Sequence, residues 1–205
     1  NKSNIRGGTY VGNYLSEYDK PFKAITAAMT LGCGLTPLHS KKPNSIIDVG
    51  IAEENAVEIA AGLTTNGITP IIFIYSTFLQ RSYDQILHDV TRTNKHVIFC
   101  VDRAGIVDGD GDTHQGIFDI SYLSTIPNMT IMAPKNKWEL SDMIKFSVNF
   151  PSPIAIRYPR GTAYSGLEEF RAPIVYAKSE WIYKESEIVL FALGSMVKTA
   201  EIVRD

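Results

Sequence analysis

The sequence has little cysteine, no long apolar run and almost no net charge, and each scarcity excludes a class of protein. Its 205 residues include only two cysteines, Cys33 and Cys100. They lie far apart and form no CxxC pair, which argues against a disulfide framework or a zinc site and favours a reducing compartment. No run of about 18 apolar residues is present, so no membrane span is predicted. The formal net charge of −2 gives no general attraction to nucleic acid or to anionic membranes.

Short runs rich in valine and isoleucine alternate with segments of helical periodicity. The predicted strands are Phe22–Thr26, Ser45–Val49, Pro70–Tyr75, His96–Asp102, Met129–Ala133 and Pro153–Arg157. Helices are predicted at about 10–18 and at Glu53–Thr65, Ser76–Thr93 and Lys137–Val148. Apolar strands that alternate with helices are typical of an α/β fold, with a doubly wound, mostly parallel sheet and helices on both faces.

The last forty residues show a pattern that indicates the start of a new unit. Glu187–Ala192 predicts a buried strand, and Gly194–Val203 predicts a helix after it. One such unit cannot cover both faces of a parallel strand. We therefore expect a first domain over residues 1–165, followed over residues 166–205 by a connector and the truncated start of a second domain.

Ligands bind such sheets beyond the carboxyl ends of the strands, and three junctions there carry polar side chains. The first, Asp48–Asn55, contains Glu53 and Glu54 at the start of a predicted helix. Carboxylates at this position are stabilised by the exposed amide groups of the first turn, which is a purely structural explanation. The functional alternative is that one of them faces the cleft and meets a basic nitrogen of a ligand.

The second junction carries two aromatic residues, Tyr75 and Phe78, followed by Arg81. Core packing explains aromatic side chains at a strand end as readily as ligand stacking does. An arginine at the mouth of a pocket suggests an anionic group such as phosphate, although a solvated surface charge is the simpler alternative.

The third junction, Asp102–Gly116, is a long acidic and glycine-rich loop that contains His114. Gly109-Asp-Gly-Asp112, together with Asn136, invites a comparison with a magnesium or calcium site. We expect no metal here, because a strand and a helix start would have to return Asn136 to the same face.

Five segments together resemble the 1-deoxy-D-xylulose-5-phosphate synthase family of transketolase-like thiamine-diphosphate enzymes. They are Asp48–Val57, Ile74–Asp89, Asp102–Val107, Thr113–Gly116 and Arg157–Gly161. The Tyr-Ser-Thr-Phe-Leu-Gln-Arg run at 75–81 is specific to this synthase, whereas Ile-Ala-Glu at 51–53 is common to transketolase-like enzymes. The resemblance implies the middle, pyrimidine-binding domain plus the start of the third.

The resemblance implies a transferase that joins two carbons of pyruvate to glyceraldehyde 3-phosphate with loss of CO2. The product is a precursor of isoprenoids and thiamine. The implied cofactors are thiamine diphosphate and Mg²⁺, with the ion and the diphosphate held by an N-terminal domain absent from this chain. A homodimer is implied, in a bacterial cytoplasm or a plastid stroma, with the cytoplasm preferred. The fragment alone is expected to be inactive.

The resemblance also implies roles for individual residues. Glu53 would pair with the N1′ nitrogen of the aminopyrimidine, and His114 would be a catalytic acid or base. Phe78 would stack on the pyrimidine ring, with Met29 nearby. The implied substrate-binding residues are Tyr75, Arg81, Arg103, Asp110 and Arg160. No metal ligand is implied in this chain.

One departure stands out, because Glu53-Glu54-Asn55 replaces the family's usual Glu-Gln-His. Two alternatives stay open: another transketolase-like thiamine enzyme, and a non-catalytic α/β interaction module.

Overall fold

A six-stranded parallel sheet organises the chain in the computed structural model, which describes residues 5–185 and 187–205. The strands are β1 (Phe22–Thr26), β2 (Ile46–Asp48), β3 (Thr69–Tyr75), β4 (Ile98–Asp102), β5 (Thr130–Met132) and β6 (Ile154–Arg157). Their order across the sheet is β2-β1-β3-β4-β6-β5, and every neighbouring pair is parallel. All six predicted strands are present.

The two central strands form the buried middle of the core. All five residues of β4 are buried, and so are five consecutive residues of β3. Runs of Ile, Val and Phe suit a sheet that is covered on both faces. The register pairs Tyr75 with Asp102 and Thr26 with Asp48, so these four strands end at the same edge.

The helices cover both faces of the sheet, which confirms the predicted doubly wound α/β fold. They are α1 (Gly7–Ser16), α2 (Thr36–Lys41), α3 (Glu53–Thr64), α4 (Ser76–Leu79), α5 (Tyr83–Gln85), α6 (Asp119–Leu123), α7 (Lys137–Ser147) and α8 (Met196–Arg204). In one layer α1 contacts α2 and α7, and in the other α3 packs on β1 and β3. The short helices α2 and α6 were not predicted, since they are too short to show a helical period.

The segment after β3 is not the single helix predicted over Ser76–Thr93. It consists of α4, a 3-10 turn at Gln80–Ser82, α5 and a π-helical turn at Ile86–Thr91. Leu79, Ile86 and Val90 are fully buried along this segment.

The predicted strand Glu187–Ala192 is wrong. Residues 187–193 adopt no strand structure, and Phe191 is 93% exposed. A strand needs a neighbour for its backbone hydrogen bonds, and no strand among residues 5–185 and 187–205 pairs with this segment. The helix predicted after it is present as α8, and the division into two domains stays a prediction.

No helix within the described ranges combines the length and the apolarity needed to cross a bilayer.

Candidate active site

Two groups of predicted site residues lie at the carboxyl edge of the sheet. The first group follows β2 and β3, and consists of Glu53, Phe78 and Arg81. The second follows β4 and β6, and consists of Arg103, Asp110, His114 and Arg160. Tyr75, at the end of β3, contacts members of both groups.

Glu53 is buried at the first turn of α3, with only 2% of the residue exposed. Its Oε1 accepts a hydrogen bond from Nη1 of Arg81 at 2.9 Å. Oε2 has no hydrogen-bond partner among residues 5–185 and 187–205. A buried carboxylate with one oxygen unused is suited to a ligand that donates a hydrogen bond.

Three rings line the edge beside this carboxylate. The rings of Tyr75 and Phe78 stack with 5.9 Å between centroids, and His114 meets Phe78 edge-on at 5.3 Å. The guanidinium carbon of Arg81 lies 5.0 Å from the centroid of Phe78. Glu53 and Phe78 therefore share Arg81 as a neighbour, and the edge can receive a flat aromatic ligand.

Asp110 is the centre of the second group. Its Oδ2 lies 2.9 Å from Nε of Arg103 and 2.9 Å from Nε of Arg160. Burial alone would raise the pKa of Asp110, but the hydrogen bond from Arg103 and the two positive charges outweigh it and lower the pKa. The anion that the two guanidinium groups contact in this structure is the Asp110 carboxylate, and guanidinium groups are also suited to bind phosphate.

Sequence reasoning missed Asp102, which lies directly beneath this group and is only 5% exposed. Its Oδ1 accepts a hydrogen bond from the backbone N–H of Arg103 at 2.7 Å. Arg103 has a φ of 59°, a left-handed conformation that is costly for arginine. Burial raises the pKa of Asp102 to about 6, and the neighbouring Arg103 opposes that rise. The sequence signal that could have identified Asp102 is its position at the end of a predicted strand, directly before Arg103.

Asp48 was also missed as a structural support for Met29. It accepts hydrogen bonds from the backbone N–H of Ala28 at 2.8 Å and from the Thr30 hydroxyl at 3.1 Å. Partial burial acts to raise the pKa of Asp48, but these hydrogen bonds lower it overall. The turn held in this way buries Met29, whose sulfur accepts a hydrogen bond from the Tyr75 N–H at 3.4 Å.

Asn136 is committed to a structural role away from the Asp110 loop. Its Oδ1 accepts a hydrogen bond from the N–H of Glu139 and caps α7, while its Nδ2 donates to the carbonyls of Gly166 and Leu167. Within residues 5–185 and 187–205, no group of three or more His, Cys, Asp or Glu side chains could hold a metal ion.

A doubly wound parallel sheet with a buried glutamate, aromatic rings and cations at its carboxyl edge defines an α/β domain of the transketolase type. The chain belongs to the family described as transketolase, pyrimidine binding domain, whose model matches residues 11–164.

Among curated relatives, the chain is 57% identical over 182 residues to the 1-deoxy-D-xylulose-5-phosphate synthase of Lachnoclostridium phytofermentans. That match covers 89% of this chain and 29% of the relative. The same enzyme of Rippkaea orientalis is 51% identical over 189 residues, covering 91% of this chain and 30% of the relative. The matches confirm the resemblance to this synthase family, and the chain spans about a third of the length of these relatives.

Solved structures agree on the fold. The transketolase from Leishmania mexicana has a TM-score of 0.70 at 20% identity, over 81% of this chain and 27% of that one. A split-gene transketolase, described as an inactive beta4 tetramer, has a TM-score of 0.67 at 23% identity. It matches 82% of this chain and 54% of its own.

Proposed function

We propose that this chain is the pyrimidine-binding part of a 1-deoxy-D-xylulose-5-phosphate synthase, a transferase of the transketolase type. The observation that carries the proposal is the buried Glu53, which shares Arg81 as a neighbour with Phe78 and whose Oε2 is unused by the described residues. The identities of 57% and 51% to named synthases support the choice of enzyme within the wider family.

The residues of the first group fit the aminopyrimidine of thiamine diphosphate. Oε2 of Glu53 would share a proton with the N1′ nitrogen, and Phe78 would cover one face of the ring, with Met29 packed below the strand ends. When bound, thiamine diphosphate supplies the carbon that accepts negative charge as pyruvate loses CO2. Glu53 would act by holding a proton at N1′.

The second group fits the phosphorylated aldehyde substrate. Arg103 and Arg160 would bind the phosphate of glyceraldehyde 3-phosphate, because both guanidinium groups already converge on the Asp110 carboxylate. Tyr75 contacts both groups and would lie next to the reacting carbons of pyruvate and the aldehyde. His114, whose ring contacts both Tyr75 and Phe78, would donate or accept a proton there.

The proposal does not assign the Mg²⁺ ion or the cofactor diphosphate to these residues. The Mg²⁺ ion and the diphosphate would be held by a further domain of the complete enzyme, since the chain spans about a third of its relatives. A homodimer is part of the proposal, supported by the exposed apolar residues Ile106, Ile117 and Phe118 near the site. A cytoplasmic location is supported by two buried, unpaired cysteines.

The test is turnover by the complete enzyme with pyruvate and glyceraldehyde 3-phosphate, followed as CO2 release and product formation. Turnover with ketose phosphate donors instead would favour another transketolase-like enzyme. If neither substrate set reacts although the complete protein is folded, the interaction-module alternative gains.

A further inference from the structure

We propose that Arg81 is a positioning residue for Glu53 on the cofactor side of the site, and that it does not receive the substrate phosphate. The inference rests on the proposed function for the identity of the cofactor. It departs from the role that the sequence resemblance implies for Arg81, and it follows from which atoms the guanidinium contacts.

The two carboxylate oxygens of Glu53 have different surroundings. Nη1 of Arg81 occupies Oε1 at 2.9 Å, while Oε2 has no partner in the described part of the chain. Because both oxygens belong to one planar group, holding Oε1 restricts the positions that Oε2 can take. Arg81 therefore presents Oε2 to a ligand without competing for it.

Because Glu53 is buried, its carboxylate needs a charged or hydrogen-bonding partner such as Arg81. The side chain of Glu53 is 3% exposed, whereas that of Arg81 is 48% exposed. A charged carboxylate removed from water is costly unless a cation or hydrogen-bond donors compensate it. Arg81 keeps half of its surface in solvent, so it compensates Glu53 without being fully desolvated itself.

A second contact ties Arg81 to the other proposed cofactor residue. Its guanidinium carbon lies 5.0 Å from the Phe78 ring centroid, within the range of a cation–π interaction. Arg81 lies on the 3-10 turn Gln80–Ser82, which contacts α3, the helix that begins at Glu53. The turn that interrupts the predicted long helix thus brings the arginine to the glutamate.

The two arginines proposed above to bind the substrate phosphate belong to a different cluster from Arg81. Arg103 and Arg160 both reach Oδ2 of Asp110 at 2.9 Å, whereas no contact of Arg81 with that carboxylate exists among the described residues. The ring of His114 packs against Phe78 on the side of the Asp110 loop. The cations of the site therefore form two sets with different partners.

The experiment uses the complete enzyme with three single substitutions, Arg81→Gln, Arg81→Lys and Arg160→Gln. Two constants are measured for each: the Kd of thiamine diphosphate, from quenching of intrinsic fluorescence without substrate, and the KM of glyceraldehyde 3-phosphate. We expect R81Q to raise the cofactor Kd by about 10- to 100-fold, as loss of a charged hydrogen bond implies. The KM of the aldehyde should stay within about twofold, and R81K should recover part of the affinity because it keeps the charge.

Arg160→Gln is the matched control, because it removes an arginine from the other set. It should raise the KM of the aldehyde by about 10-fold or more and leave the cofactor Kd unchanged. If R81Q raises the aldehyde KM as much as R160Q does, or leaves the cofactor Kd unchanged, the positioning role is wrong. If R81Q does not fold, R81K with its smaller expected loss supplies the same comparison.

Failure of the proposed function gives a different result. If the complete enzyme binds thiamine diphosphate but does not convert pyruvate and the aldehyde, the binding constants of the R81 variants still test the positioning role. If the cofactor Kd of R81Q matches the parent enzyme while turnover of both substrates is intact, only the inference about Arg81 falls.

Discussion

The guanidinium carbon of Arg103 lies 3.6 Å from the centroid of the Tyr75 ring. Tyr75 ends β3 and is paired in register with Asp102, the residue before Arg103, so the contact joins two adjacent strand ends. Partial burial raises the pKa of Tyr75, and the charge of Arg103 opposes that rise. Arg103 also lies 2.9 Å from Asp110, so this contact links Tyr75 to the second group of site residues.

Replacement of Glu53 by glutamine should nearly abolish activity of the complete enzyme. Glutamine keeps the size of the side chain but cannot hold the proton that the proposed mechanism needs. We expect kcat to fall by about 10²- to 10⁴-fold, measured as steady-state turnover. Glu54→Gln is the matched control, since the neighbouring carboxylate belongs to the same helix turn, and it should change kcat less than about threefold. Equal losses in both variants would contradict the assignment of Glu53.

Replacement of Phe78 by alanine should weaken cofactor binding. The ring supplies stacking on a flat heterocycle, and its loss should raise the Kd of thiamine diphosphate by roughly 3- to 10-fold or more. Phe146→Ala is the control, because that ring is also partly buried but packs against Phe150 away from the site, at 5.2 Å. Titration of both variants with thiamine diphosphate checks the prediction, which fails if F146A weakens binding as much as F78A.

Asp110→Asn should strengthen binding of inorganic phosphate at the second group. The substitution removes a negative charge from between two arginines and leaves their positive charges available to an anion. A decrease of the phosphate Kd by about 3- to 10-fold is expected at low ionic strength. Calorimetric titration measures it, with Asp112→Asn, an exposed carboxylate of the same loop, as the control. Weaker binding in D110N would mean that Asp110 serves mainly to orient the arginines.

Asp102 should make the stability of the chain fall as pH rises from about 4 to 6. Its pKa of about 6 in the folded state exceeds the ordinary value of 3.8, so the folded state binds more protons than the unfolded state in this interval. The unfolding free energy therefore decreases with rising pH, by up to about 3 kcal/mol from this group. The lowered pKa values of Asp48 and Asp110 act in the opposite direction.

The comparison of Asp102→Asn with the parent chain isolates the contribution of Asp102. Urea unfolding at several pH values between 4 and 7 measures it. The difference in unfolding free energy between variant and parent should shift in favour of the variant as pH rises. A difference that does not change with pH would show that Asp102 titrates normally in the folded chain.

Replacement of two different glycines by alanine should change the unfolding free energy in opposite directions. A Cβ at Gly8 would collide with the backbone carbonyl of Cys33, because α1 packs directly on the loop after β1. Gly8→Ala should therefore lower the unfolding free energy by about 1–3 kcal/mol. Gly62, in α3, has open space around it, and Gly62→Ala should raise the unfolding free energy by about 0.5–1 kcal/mol. Thermal unfolding of both variants checks the pair, and destabilisation by G62A would contradict it.

The amino-acid sequence by itself determined the six strands, the parallel α/β class and the helix that begins at Glu53. These features depend on local composition, since runs of Val and Ile bury both faces of a strand and a helix shows its period over twelve residues. Two predictions from local composition were wrong. Ser76–Thr93 has the composition of a single helix and Glu187–Ala192 that of a buried strand, but neither forms that element. Their actual form depends on what lies beside them in space.

Only the tertiary structure decided which charged groups meet. Glu53 and Arg81 are 28 positions apart in the sequence, and either could have been a surface charge. They pair because α3 runs from the edge strand β2 across to β3 and contacts the turn that follows β3. Asp102 acquires its raised pKa in the same way, from burial beneath the loops after β1, β4 and β6. The packing of the chain sets the distance between two charged groups and the extent to which each is removed from water. Neither quantity can be read from the order of residues along the sequence.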